Sequence, residues 1–129
     1  MKAQNGIAGY FEQIARVLAV SRSIDAQEIY TQKRTFTEGF LRGEVLFKDG
    51  SRLHFRELVT TEPNVQRISY AYQYMRPDDT LIFRYDDTDH FPNLPGAPHH
   101  KHTGENEVIG SDAPDLAVIL KEIERVIKT

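Results

Sequence analysis

The segment FLRGEVLFKDGSRLHFRELV, residues 40–59, decides the fold. In its first half Leu41, Val45 and Phe47 fall on one side of an extended chain, and Arg42, Glu44 and Lys48 on the other. Asp49-Gly50 then supplies the strongest short-range signal for a hairpin. On the return, Leu53, Phe55 and Val59 share a phase with Glu57, while His54, Arg56 and Leu58 take the opposite one. An acid therefore stands at a core position, with an arginine beside it facing the other way.

Alternation continues downstream. Residues 65–75 put Ile68, Tyr70, Tyr72 and Tyr74 in phase, Pro77-Asp78-Asp79 turns the chain, and Leu81, Phe83 and Tyr85 then oppose Ile82, Arg84 and Asp86. The tyrosines predict an aromatic core face whose hydroxyls reach a rim or a site. Upstream, Ile7, Tyr10, Phe11, Ile14, Val17 and Leu18 have the spacing of an amphipathic helix over residues 6–21, and an edge strand is expected over 28–34. Gly39 and Gly43, inside a strand pattern, read as close packing or a bulge. A short strand is expected near residues 107–109. Residues 111–115, SDAPD, then open a helix with the stripe Leu116, Ile119, Leu120, Ile123, Val126 and Ile127. The expectation is an α+β fold, an antiparallel meander of four to six strands packed against an N-terminal and a C-terminal helix, in one domain over residues 1–129.

A chain of 129 residues that is 40% hydrophobic can bury a real core. It has no cysteine, which excludes disulfides, thiolate metal sites and cysteine nucleophiles. A net charge of -3 argues against broad, nonspecific binding to duplex nucleic acid but leaves room for a local basic patch. No long apolar run or signal segment is present, so the sequence reads as a soluble, cytoplasmic protein with no membrane partner.

Chemistry concentrates in HFPNLPGAPHHKH, residues 90–102, which holds four of the five histidines. Its prolines and glycine exclude a helix or a central strand and predict a functional loop. His100 and His102 would point one way if the chain is locally extended, and His99 the other. Two chemistries are open to them. Phosphodiester cleavage through a 2′-hydroxyl needs a base, an acid and a cation. His99, His100 or His102 could move protons, Arg56, Arg84 or Lys101 could hold phosphate, Glu57 could orient a histidine or act as base, and a tyrosine hydroxyl such as that of Tyr72 could line the site. Alternatively His100, His102, Asp86 and His90 could ligate a divalent transition metal. A third reading is a non-enzymatic module that inhibits a partner protein, with the histidines in its interface.

From about residue 40 to the end, the chain resembles the TumE-like family, toxins of prokaryotic toxin–antitoxin pairs. The resemblance lies in DGSRLHFREL (49–58), ISYAYQY (68–74), LIFRYDD (81–87) and above all PHHKH (98–102). Where the family pattern carries a proline and two histidines after the strand, this chain has Asp89-His90-Phe91, which shifts weight from His90 to PHHKH. The resemblance implies growth inhibition and neutralisation by a separate antitoxin that often bears a helix-turn-helix domain; RNA as the target is an expectation by analogy with other small toxins.

Overall fold

In the computed structural model, which describes residues 2–128 and side chains from residue 6 onward, the chain runs helix, seven strands, helix. Helix α1 (Lys2–Ala19) leads into β1 (Ile24–Lys33), β2 (Glu38–Phe47), β3 (Arg52–Thr60), β4 (Gln66–Met75), β5 (Leu81–Asp86), β6 (His100–Thr103) and β7 (Val108–Gly110), and α2 (Leu116–Lys128) follows. Each strand pairs antiparallel with the next, so sheet order is chain order. The α+β meander expected from the sequence is present, with seven strands instead of four to six. The difference is β6, whose four residues are too short to show alternation, while β7 is the short strand expected near residues 107–109. The start of β6 lies within the tract assigned to a loop. The last proline there is Pro98, so nothing beyond it blocks pairing, and His100–Thr103 sits as an interior strand between β5 and β7.

Both helices cover one face of the sheet. That face carries Leu41, Val45, Phe47, Leu53, Phe55, Tyr70, Tyr72, Tyr74 and Phe83, all buried against Ile14 and Leu18 of α1 and Leu116, Ile119, Leu120 and Ile123 of α2. The β2–β3 hairpin closes through Gly50 at φ 88°, the left-handed conformation that glycine adopts without strain. Asp115 caps α2 by accepting the Val118 amide at 3.0 Å, so Pro114 precedes the cap instead of lying in the first turn. Glu124 of α2 accepts the Ser21 hydroxyl at 3.0 Å.

A register shift in the β3–β4 pairing separates Leu58↔Ser69 from Val59↔Arg67. The extra residue, Ile68, is thrown outward and stands 52% exposed. Arg67 is turned onto the helix-covered face, against simple alternation.

Gly43 is a matter of room. A β-carbon there would lie 2.4 Å from the Phe55 ring and 2.7 Å from Ile29. Gly43→Val is therefore expected to destabilise the fold by roughly 1–3 kcal/mol through overpacking, read as a lower denaturant midpoint at unchanged slope.

Candidate functional site

With the helices on one side, the other face of the sheet is left open, and the register dictates what gathers there. Arg42, Arg56, Ala71, Asp86 and His100 are successive cross-strand partners from β2 to β6. Glu44, His54, Gln73, Arg84 and His102 form the adjoining row. The small side chain of Ala71 keeps the middle of the first row low. A groove of about 380 Å³ results, walled by Arg42, His54, Arg56, Gln73, Met75 and Arg84.

Asp86 stands beyond Arg84 and collects the polar groups. Its Oδ2 accepts Arg84 Nε at 2.9 Å, and its Oδ1 accepts the Thr88 amide at 3.1 Å and hydroxyl at 3.0 Å. His100 Nε2 lies 2.9 Å from Oδ1 and His102 Nε2 3.7 Å from Oδ2. Burial alone would raise the Asp86 pKa, but the Thr88 and Arg84 hydrogen bonds and the neighbouring His100 hold it below the usual carboxylate value. His102 moves down as well, because burial outweighs the attraction of Asp86.

The two histidines differ in access. The His100 side chain is 1% exposed and that of His102 29%, so only His102 can meet a solute directly. His100 is not a free loop residue. Its Nδ1 sits 2.9 Å from the Pro98 carbonyl, and the Phe91 ring lies 4.9 Å from it and 5.9 Å from His102. Between them Lys101 faces the helices, where its Nζ donates to Glu122 Oε2 at 2.8 Å while Tyr85 donates to Glu122 Oε1 at 2.7 Å. That clasp ties β6 to α2 and fixes which way the histidines point. Lys101, expected as a phosphate cation, is thus committed on the far side.

Glu57, Tyr72 and His99 also lie on the helix side, away from the groove. Buried Glu57 accepts hydrogen bonds from the hydroxyls of Tyr10 in α1 and Tyr72 in β4. Arg67 Nη1 reaches the Tyr72 hydroxyl at 2.8 Å and the Pro114 carbonyl at 2.6 Å, and Nη2 reaches the Ala113 carbonyl at 3.0 Å. Burial first and the Glu57 carboxylate second push the pKa of both phenols up, so they remain donors. His99 stacks on Tyr70 at 5.8 Å, with Nδ1 2.8 Å from the Tyr70 hydroxyl. Burial raises the Tyr70 pKa to about 12. His90 is exposed and packs edge-on against Phe91. It is not among the three ligand-bearing side chains that converge, Asp86, His100 and His102.

Of the residues anticipated from sequence, the structure gathers Arg56, Arg84, Asp86, His100 and His102 on the open face, and separates Glu57, Tyr72 and His99 from them. The outward His100 and His102 and the inward His99 follow the expected alternation. Glu57 contacts two tyrosines and no histidine is among its hydrogen-bond partners.

The sequence profile of the toxin TumE family matches residues 14–128. The chain belongs to the TumE toxin family. The match covers nearly the whole fold, from the middle of α1 to the end of α2, and so reaches well upstream of residue 40. As a TumE-family toxin the protein is one half of a toxin–antitoxin pair, and an antitoxin is its implied partner. No curated protein and no solved structure matches it. No helix among the described residues is long and apolar enough to cross a membrane.

Several residues around this candidate site in the TumE-family chain had no signal of their own. Gln73 accepts from Arg84 at 2.9 Å, legible only once β4 is registered against β5. Thr88 and Phe91 reach the site from the connection after β5, where no period exists to read. On the opposite, helix-covered face, Arg67 was hidden by the shift at Ile68.

Proposed function

We propose that this toxin is a ribonuclease acting in the cytoplasm, with the RNA backbone laid in the groove of the open face and the Asp86–His100–His102 centre at the scissile phosphodiester. The observation that carries this reading is the placement of a histidine–carboxylate centre at the end of an arginine-walled groove. In such a cleavage the 2′-hydroxyl loses its proton, its oxygen attacks phosphorus, the bond to the 5′-oxygen breaks and that oxygen is protonated. Arg56 and Arg84 are the cations for the phosphate. Three arginines on one groove focus a positive field locally, which answers the net charge of -3. Glu57 and Tyr72 belong to the scaffold in this reading, since they hold α1 and α2 to the sheet from the other side.

The antitoxin, expected to carry a helix-turn-helix domain, would neutralise by covering the groove. The outer strand β1 offers it an edge, since that strand is exposed along almost its whole length.

The test is the purified chain against a defined single-stranded RNA. Arg56 is exposed, so Arg56→Ala should leave the melting temperature unchanged while weakening cleavage roughly 10–100-fold, the worth of one charge-assisted hydrogen bond. RNA left intact by the wild type would remove the enzyme and leave a toxin that binds and blocks a protein.

A further inference from the structure

The buried side of His100 holds a polar atom with no hydrogen-bond partner among the described residues. Its Nδ1 lies 2.9 Å from the Pro98 carbonyl oxygen, which can only accept, so Nδ1 carries the proton of that bond. In the neutral ring Nε2 is then a bare lone pair. It has no hydrogen-bond partner, although Asp86 Oδ1 is 2.9 Å away. Two acceptors this close in a site 1% exposed call for a shared cation, either a proton on Nε2 that makes the ring an imidazolium or a metal ion.

The surroundings supply the rest of a cation site. His102 Nε2 stands 3.7 Å from Asp86 Oδ2, and the three ligand-bearing side chains converge with their atoms within 4.8 Å of one another. Around an ion with bonds of about 2.0–2.1 Å, tetrahedral ligands are separated by roughly 3.3 Å. The two histidine–carboxylate distances, 2.9 Å to Oδ1 and 3.7 Å to Oδ2, straddle that value, and all the ligand atoms fall within 4.8 Å of one another. We infer that Asp86, His100 and His102 bind a zinc-class divalent transition ion, with at least one coordination position open toward the groove. Two imidazoles and one carboxylate suit such an ion and not magnesium or calcium, which prefer oxygen throughout.

The supporting shell has the form such sites take. The Pro98 carbonyl holds the far nitrogen of one imidazole, Thr88 and Arg84 orient the carboxylate, and Phe91 covers both rings. Thr88 donates twice to Oδ1 and Arg84 once to Oδ2, so both carboxylate oxygens are held in place where they face the two imidazoles. Partly exposed His102 opens the site on one side, as in centres that keep a position for water or substrate. This inference deepens the ribonuclease reading and rests on it only for what the ion does, which is to polarise a phosphate oxygen. The binding itself is measured without RNA.

The experiment takes the full chain without a histidine tag, freed of metal by chelation, and titrates it with Co²⁺ while the visible spectrum is recorded. One equivalent should bind with d–d absorption, Zn²⁺ should displace it, and Mg²⁺ should not. His102→Ala should lower the affinity at least ~10²-fold, while Thr88→Val, which only orients a ligand, should lower it about 10–100-fold. Circular dichroism confirms that each variant is folded, and His102→Gln replaces the alanine variant if that one is not. A folded wild type that takes up no Co²⁺ or Zn²⁺ overturns the site, as does binding that His102→Ala leaves unchanged. Metal binding without RNA cleavage retains the centre and removes the ribonuclease. Cleavage by protein that binds no metal does the reverse.

Discussion

Replacing Glu57 with alanine is expected to cost about 2–6 kcal/mol of stability, because the hydroxyls of half-buried Tyr10 and buried Tyr72 lose their acceptor at once and each orphaned group costs roughly 1–3 kcal/mol. The carboxylate joins three elements. Tyr10 brings α1 to it, Tyr72 brings β4, and Arg67 extends the chain from Tyr72 to the carbonyls of Ala113 and Pro114 just before α2. With the pKa of both phenols raised, neither can adapt by ionising. Glu57→Gln retains one carbonyl acceptor and should lose less than half as much. Urea melts of the three proteins measure the differences. If Glu57→Ala melts like the wild type but abolishes activity, the residue belongs to the reaction and the scaffold assignment is wrong.

The second large effect separates the paired histidines. His102→Ala should reduce RNA cleavage by roughly 10²–10⁴-fold, the range for loss of a group at the reacting centre, and leave the melting temperature within a degree or two. The side chain is partly exposed and packs mainly on Phe91 and His100. His100→Ala should lose both activity and stability, since its buried ring fills the space between Phe91 and Asp86. Melting temperature measured beside activity distinguishes the two. Equal stability losses would mean that the face is packed more evenly than its exposures indicate.

How much of this was written in the sequence depends on whether period or register governs the residue. The β2–β3 hairpin and the tyrosine strand were legible because burial on one face imposes strict alternation, and Glu57 stood out as an acid in that phase. The stripe of α2 was legible for the same reason. What alternation cannot give is the lateral order of strands. Without the register, Arg56 and Asp86 are thirty residues apart. With it, they flank Ala71 in one row. The same gap explains why Glu57 was grouped with the histidines. Adjacent residues Arg56 and Glu57 face opposite sides of the sheet, so only one of them could join a site on either face. The Pro/Gly content of residues 90–102 described the connection correctly up to Pro98 and failed at His100, where the partner is β5 and not a neighbour in sequence. Ile68 was misplaced because a bulge changes phase without changing composition.

The most direct test of the central claim, that the open face is the toxic site and RNA its substrate, is total RNA from cells expressing the wild type or His102→Ala with Arg56→Ala, at matched protein levels. The account predicts growth arrest with fragmented RNA for the wild type. The double variant should give normal growth and intact RNA, although it accumulates as folded protein. Arrest by the double variant, or arrest by the wild type with RNA intact, would contradict it.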